Sequence, residues 1–517
     1  MERNRRTWIA IGAGCASGLM LAAAAPGWLT GWIAWVALAP AAAVAIAWRG
    51  SRAGRLAVPL AYGVYLELLL IRALPFGIAA GQWGDPPPVM IGDSPVVFVA
   101  LIAVPAFAWL LYAIRFGEPW GADRLTRRLQ PLAFVAIPAS TFAALDFIRV
   151  NVDPGGLWGP LFLSQHASDS AALAALGGPW LVSFAIAAVG YAIAQLSLVV
   201  ADRRPVRMAL GTALAVGAAI VAGVAAGLAL DRGGGRELTV AAVQPGWDTA
   251  EEDRWQTRYF EDGTHDLAAL DLIRDLAPPT REAAASGAEI VVWPEAAVWV
   301  DPSAEPRVGA AIRDLAHESG VPVVLPYFVR DLRQGQTTTV LPTGTFTQTQ
   351  PKQRPSWFLA EDGGNRRSPE PVAAGPARLG TLLGVDSQGP RTARALADGG
   401  AELLASATHD WEELAGAQRA FAAINAGATG TPLVRSDWRY GSAIYSADGA
   451  LVASAGDGLE RALVIGRVSL SAGHTPYAAI GDVLGWLFLA VSCAAGAGAL
   501  LGGRRLGRRL SPAPRRT

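Results

Sequence analysis

The sequence predicts a multi-pass α-helical membrane protein that carries one soluble α/β domain. Three observations predict it. Hydrophobic residues fill 52% of the 517 positions and charged residues only 17%, with a mean hydropathy of +0.31, a balance foreign to a fully soluble chain. Eight apolar segments are each long enough to cross a hydrocarbon core of about 30 Å. Between the seventh and the eighth, residues 236–475 change character, and short β-rich runs alternate with helical stretches.

The expected spans are 7–24, 30–48, 55–75, 96–115, 131–149, 172–200, 208–230 and 477–501. The first is too long, and too closely followed by the second, to be a cleaved leader. Basic charge alternates along the connections. Arg3, Arg5 and Arg6 precede the first span, and Arg49, Arg52 and Arg55 follow the second. Arg124, Arg127 and Arg128 follow the fourth, and Arg203, Arg204 and Arg207 the sixth. Arg504, Arg505, Arg508 and Arg509 follow the eighth, whereas connections of the other parity, such as 76–95, are rich in Gly, Pro and Asp. Arginines that were merely solvated loop charges would not alternate. The positive-inside rule puts both termini in the cytoplasm and residues 231–476 on the opposite side. The expected division is 1–230 as a membrane domain of seven helices, 231–476 as an extracytoplasmic domain, and 477–517 as a last helix with a basic cytoplasmic tail. Gly233-Gly-Gly235 reads as the hinge out of the membrane. No internal repeat is visible.

Within the soluble part the expected strands are 238–244, 289–293, 321–327, 338–341, 379–385, 402–407, 433–436, 442–445 and 463–468. The expected helices lie near 263–276, 305–318, 391–399 and 412–427. Residues 346–372, with many Gln, Pro and Arg, read as a loop.

The formal net charge is zero, so no global field argues for nucleic acid. The two cysteines, Cys15 and Cys493, lie in apolar runs. Their spacing makes neither a metal site nor a disulfide framework. Ala13-Gly-Cys15 faintly resembles a lipoprotein cleavage site, but Cys15 reads better as a small packing residue. No metal or cofactor is expected.

Several short segments carry a resemblance. Trp35-Val-Ala-Leu-Ala-Pro40 sits in the second span. Ala144-Leu-Asp-Phe-Ile-Arg149 is followed by Gly156-Leu-Trp-Gly159 and Ser164-Gln165. Val243-Gln-Pro245 opens the soluble domain, and Val291-Val-Trp-Pro-Glu295 ends its second strand. Leu379-Gly-Thr-Leu-Leu-Gly-Val-Asp-Ser387 leads without a gap to a helix with Arg391 and Arg394, then Gly399-Gly-Ala401 and Glu402-Leu-Leu404. Pro432-Leu-Val-Arg435 and Asp448-Gly449 fit the last strands. Together these segments resemble the apolipoprotein N-acyltransferase family, membrane-anchored members of the carbon-nitrogen hydrolase (nitrilase) superfamily. Asp146 replaces the Glu of the family's Glu-Trp-Leu-Arg segment.

The resemblance implies a nitrilase-like αββα sandwich in a multi-pass protein of the bacterial inner membrane. It implies phospholipid and lipoprotein as partners, no nucleic acid, and a monomer. It also implies a Glu-Lys-Cys triad. Glu295 falls at the base, Lys352 at the oxyanion-stabilising lysine, and Gly384 where the nucleophilic cysteine is expected. Asp386, and more approximately Glu361, fall at acidic positions expected to contact substrate. A thiolate can hold an acyl group as a thioester, a carboxylate can shuttle its proton, and an ammonium can face the developing oxyanion. In the family the acyl chain leaves a phospholipid for the α-amine of a lipoprotein's N-terminal cysteine.

The departures cluster at that site. The Cys-Tyr-Glu triplet reads Gly384-Val385-Asp386, so residue 384 supplies no nucleophile. The family's Lys-x-His-Leu-Val-Pro-Phe-Gly-Glu becomes Lys352-Gln-Arg-Pro-Ser-Trp-Phe-Leu-Ala-Glu361, with Arg354 at the His position. Asn-Asp-Ala-Trp becomes Thr408-His-Asp-Trp411. This pattern reads as relaxed chemistry on a retained scaffold.

Single residues admit plainer readings. Lys352, the only lysine in the chain, is either the triad lysine or a solvated loop charge. Ser387 with Asp386 is a conceivable substitute pair, but strand alternation turns Ser387 to the other face. His409 beside Asp410 suggests a dyad or metal ligand less than a turn before a helix. Glu67 and Arg72, inside the third span, are either functional or a charge snorkelling to the interface. Two functions compete: N-acyltransfer by an unusual route, and a non-catalytic module that binds lipid or lipoprotein. A transporter is disfavoured by the lack of repeats and of broken midplane helices.

The arginine alternation gives a topological test. Reporter fusions at Gly234 and in the C-terminal tail are expected to signal extracytoplasmic and cytoplasmic positions respectively. A cytoplasmic signal at Gly234 overturns the orientation.

Overall fold

The computed structural model describes residues 2–49, 51–80, 130–151, 159–201, 206–230, 232, 234–247, 265–329, 333–355, 361, 369–456, 458–471 and 474–509. The expected span 96–115 lies outside them. The N-terminal part is helical: α1 (Glu2–Ala23), α2 (Ala34–Ala37), α3 (Ala39–Ala47), α4 (Arg52–Ala80), α5 (Gln130–Asn151), α6 (Ala174–Gly177), α7 (Pro179–Ala201) and α8 (Arg207–Leu228). Among the described residues α1, α5, α7 and α8 are long and apolar enough to cross a membrane. The expected span 30–48 is not one helix. It opens with a 3-10 turn at Gly31–Ile33 and breaks at Leu38, since Pro40 suits a first helical turn better than an interior. The expected span 172–200 begins late. Two 3-10 turns, Leu161–Gln165 and Asp169–Leu173, and α6 precede α7, and Gly178 at φ +77° makes the bend.

Three of the segments that carried the resemblance, those of Trp35, Asp146 and Gln165, lie in this region, while Gly156-Leu-Trp158 falls outside the described residues. Trp35 Nε1 donates to Gln165 Oε1 at 3.0 Å, and Gln165 Nε2 donates to Gly31 O at 2.8 Å. Asp146, fully buried, accepts from Leu161 N at 2.8 Å and Ser183 Oγ at 2.6 Å, with Arg149 Nη1 3.6 Å away. A buried carboxylate requires such donors. It therefore staples the 3-10 segment to α5 and α7. Glu67 and Arg72 do not form a site together. Glu67 is exposed, whereas Arg72 donates to Pro26 O at 3.3 Å and lies over the Trp28 ring.

The second half is built from β1 (Glu237–Gln244), α9 (His265–Ala285), β2 (Ile290–Val292), α10 (Pro306–Ser319), β3 (Val323–Val329), β4 (Gln334–Val340), β5 (Gln350–Pro351), β6 (Val372–Ala374), β7 (Ala377–Leu383), α11 (Pro390–Asp398), β8 (Leu403–Thr408), α12 (Glu412–Thr429), β9 (Leu433–Asp437), β10 (Ala443–Tyr445), β11 (Leu451–Ser454) and β12 (Ala462–Ser469). One six-stranded sheet has the order β12-β1-β2-β3-β4-β5, the other β11-β10-β9-β8-β7-β6. The sheets pack face to face through Val240, Ile290 and Val292 on one side and Leu379, Leu403, Ala405 and Val434 on the other. α9 and α10 cover the first sheet with Ile273, Leu276, Ile312 and Leu315. α11 and α12 cover the second with Leu396, Ala422 and Ala426. The result is the expected four-layer αββα sandwich.

The deviations from expectation have local causes. β5 and β6 are too short to show a period, and β5 falls in the stretch read as a loop. β11 is an exposed edge strand. α9 runs on through Pro278 and Pro279. The carbonyls these prolines leave without donors belong to Arg274 and Asp275, both exposed, so water can serve them.

α12 belongs to both halves. Ala422, Ala423 and Ala426 face the sheet, while Ala420, Phe421, Ile424 and Ala428 join the core of the N-terminal helices. From Phe421 an edge-to-face seam runs through Phe162, Trp180 and Phe147 to Trp486, with successive centroids 6.0, 5.8, 5.1 and 5.0 Å apart. Trp486 belongs to the last helix, which follows α13 (Pro476–Ile480) as α14 (Val483–Arg509). Asp482 between them accepts from Trp180 Nε1 at 2.8 Å and Tyr477 OH at 2.9 Å. Because Phe421 is 1% exposed, Phe421→Ala is expected to cost about 3–5 kcal/mol, measured as a lower melting temperature in detergent. An unchanged melting temperature shows that the seam does not join the two halves.

Candidate functional site

The site lies where β2, β7 and β8 end, and begins with Glu295. β2 delivers it through Trp293 and Pro294, and Trp293 is anchored by Nε1 donating to Thr280 Oγ1 at 2.9 Å. The Glu295 backbone is held on both sides, with its N–H 3.4 Å from Thr408 O and its carbonyl accepting from Trp438 Nε1 at 2.6 Å. The next residue, Ala296, has φ +52°, a left-handed conformation that costs a non-glycine residue about 1–2 kcal/mol. Such strain persists only where the surroundings over-determine it.

Lys352 follows β5, and its N–H donates to Gly335 O at 2.9 Å. Its Nζ donates to Glu295 Oε1 at 2.9 Å and to Glu361 Oε1 at 3.0 Å. The lysine and Glu361 side chains are sealed, 2% and 4% exposed, while Glu295 keeps 17%. Glu295 is thus the member of this trio that a ligand can reach. Burial alone would pull the Lys352 ammonium down, but Glu295 and Glu361 together hold it above its ordinary range. Burial pushes the Glu295 carboxyl up, Lys352 opposes that, and Glu361 adds to it.

Two acidic side chains expected to contact substrate have protein partners. Glu361, expected on the substrate side, is the second partner of Lys352. Asp386, expected to bind substrate, faces backbone instead. It accepts from Gln353 N at 3.0 Å, Arg354 N at 2.7 Å and Leu383 N at 3.4 Å. It therefore pins the segment after Lys352 to the end of β7. Burial pushes Asp386 up to about 7, against these donors and the charges of Lys352 and Arg354. Arg354 itself donates through Nη1 to Gln388 O at 3.3 Å.

Gly384 does face Glu295, by a route the alternation of a strand does not supply. Leu382 points toward α11 and α12, so a continued strand would turn residue 384 that way too. Instead β7 stops at Leu383, a 3-10 turn covers Gly384–Ser387, and Gly384 adopts φ +47°. A β-carbon built on Gly384 would then lie 2.5 Å from Glu295 Oε2 and 2.6 Å from Oε1. The carboxylate stands where a side chain would begin. Ser387 does turn away, although not as a strand residue. Its Oγ donates to Gly384 O at 2.6 Å, and Asn425 Nδ2 donates to its carbonyl at 2.8 Å.

His409 stacks on Trp411 with rings 3° apart in tilt. Among the described residues no group of His, Cys, Asp and Glu is arranged to hold a metal ion. Asp410 is more than a helix-start residue. It pairs with Arg435, which also bonds Asp437. An arginine inside the buried strand 433–437 was the available signal, since such a charge demands an acid.

Gly384→Ala is expected to cost about 2 kcal/mol, from left-handed backbone strain and displacement of the carboxylate. In a double-mutant cycle with Glu295→Ala the displacement part is expected to vanish. Simple additivity of the two melting shifts would show that the carboxylate does not occupy that space.

Residues 239–474 match the carbon-nitrogen hydrolase family. The apolipoprotein N-acyltransferase of Pseudomonas aeruginosa is 31% identical over 202 residues, covering 38% of this chain and 33% of that protein. The protein of the same name from Pseudomonas paraeruginosa is 31% identical with the same coverage. The aligned segment thus spans about a third of the length of these curated relatives. Among solved structures, a carbon-nitrogen hydrolase from Helicobacter pylori shares 16% identity over 45% of this chain and 89% of its own, with a TM-score of 0.36. An amidase from Nesterenkonia sp. shares 17% over 47% and 92%, also with a TM-score of 0.36. The two-sheet sandwich that holds Glu295, Lys352 and Gly384 thus matches the carbon-nitrogen hydrolase family, in a chain similar over part of its length to the apolipoprotein N-acyltransferases.

Proposed function

We propose that this chain is a membrane-anchored relative of the apolipoprotein N-acyltransferases that holds a lipid or lipoprotein ligand over the Glu295–Lys352–Glu361 cluster without passing an acyl group through residue 384. One observation carries the reading. Residue 384 has no side chain, and the Glu295 carboxylate occupies the place where one would start. Covalent acyl transfer needs a nucleophile within hydrogen-bond reach of its base, and the nearest hydroxyl on this turn, Ser387, is 2% exposed and committed to Gly384 O.

In this reading residues 1–230 form seven spans and 231–476 lie outside the cytoplasm. Residues 477–517 form the last span and its basic cytoplasmic tail, in a bacterial inner membrane. The long apolar helices α1, α5, α7 and α8 support the anchoring. A single chain contains every element the site uses, which favours a monomer. The alternative reading, N-acyltransfer by another route, is favoured by the survival of the buried Glu295–Lys352–Glu361 cluster. A chain with no use for that chemistry would gain by replacing buried charges with apolar groups.

Intact-mass spectrometry after incubation with phospholipid separates the two. The expected result is no added fatty-acyl mass, with lipid retained non-covalently and no rescue of cells depleted of their own apolipoprotein N-acyltransferase. An acyl adduct overturns the binding reading. If Ser387→Ala removes the adduct, Ser387 is the nucleophile. If the adduct survives, another residue is.

A further inference from the structure

Thr408 and Asp410 differ from the family's Asn-Asp-Ala-Trp, and by themselves look like drift. In the fold they belong to one closed network. Asp437, fully buried, accepts from Thr408 Oγ1 at 2.7 Å, Asp410 N at 3.0 Å, Arg439 N at 2.9 Å, Tyr440 N at 2.8 Å and Arg435 Nη2 at 3.2 Å. Arg435, 1% exposed, also bonds Asp410 and donates through Nη1 to Tyr440 O at 2.9 Å. Buried charges survive only when satisfied in this way, and a partly satisfied network would be worse than an apolar one. The network ties the end of β8 to the end of β9 and to the turn that follows. Those are the two places from which the Glu295 backbone is held: Thr408 supplies the carbonyl facing its N–H, and Trp438 supplies the indole bonded to its carbonyl.

We propose that Arg435, with Asp410 and Asp437, is a positioning residue for Glu295, acting through Thr408 and Trp438 rather than by touching Glu295 or Lys352. The competing explanation is that the network only stabilises the ends of β8 and β9. The two differ in what happens at Lys352, which none of these network side chains bonds. If Glu295 is held in place by the network, loosening the network moves the carboxylate and so changes the environment of the Lys352 ammonium. If the network is only structural, the neutral changes Trp438→Phe and Thr408→Val lower melting and leave the ammonium unaffected, whereas charge-changing variants act on Glu295 through space as well, as Asp410 does.

The sequence supplies an unusual probe, because Lys352 is the only lysine. Isotope labelling of lysine at Cε in the full chain in detergent gives one side-chain resonance. Glu295→Gln removes the charge directly and sets the reference displacement. Asp437→Asn, Arg435→Gln and Trp438→Phe are each expected to move the line toward that reference position. Val468→Ala, a core truncation elsewhere in the sandwich, is expected to lower melting and leave the line in place. A line that stays put in folded Trp438→Phe overturns the proposal, whatever the charge-changing variants do. So does a line that moves equally in Val468→Ala, since general loosening would then explain it. If Arg435→Gln does not fold, Thr408→Val, which removes one donor to Asp437, carries the same test with the same two outcomes. The measurement needs no substrate, so its result is independent of whether the protein binds lipid or transfers an acyl chain.

Discussion

A buried ammonium between two carboxylates governs the architecture around it. Desolvating one lysine is costly, and removing one partner from such a buried set costs about 3–5 kcal/mol. Glu295 must arrive from the end of β2, Lys352 from the end of β5, and Glu361 from the segment beyond. None of these positions is near another in sequence, so the sandwich has to bring them together. Asp386 serves that requirement too. By taking the N–H groups of Gln353 and Arg354 it fixes the segment that begins at Lys352, and its place in the same 3-10 turn as Gly384 ties that segment to β7.

The same constraint explains the glycine. With Glu295 drawn toward Lys352, its carboxylate lies against residue 384, and the left-handed turn there brings that position toward the first sheet. A cysteine would have to displace the carboxylate and accept φ +47°. The glycine therefore suits its surroundings, because the Glu295 carboxylate fills the space where a side chain would start. The Thr408–Asp410–Arg435–Asp437 network points the same way. Thr408 and Asp410, which depart from the family's motif, are both bonded into this buried network, through Asp437 and Arg435.

α12 connects this chemistry to the apolar helices. Its alanines allow close packing on the second sheet, while Phe421 and Ile424 on the opposite side enter the helical core. Gly416 lets the helix approach Gly27 closely.

The sequence by itself determined the gross organisation. Hydropathy marks the long helices because every backbone polar group in a span must be satisfied locally, which makes the signal contiguous. The alternation of strands and helices marked an α/β domain, and the resemblance carried by the Trp-Pro-Glu, Pro-Leu-Val-Arg and Gly-Gly-Ala segments implied the sandwich and the grouping of Glu295, Lys352 and Gly384. The tertiary structure alone decided what the polar groups face. Asp386 and Glu361 carry the same charge and were read alike, yet one caps backbone amides and the other pairs with Lys352. Asp410 looked like the start of a helix and is half of a buried ion pair. Burial, partner and direction of a side chain depend on elements far away in the chain, and a left-handed turn at a single glycine reverses the facing that strand alternation would give. Local pattern encodes the periodicity of an element. It does not encode which distant group comes to rest against it.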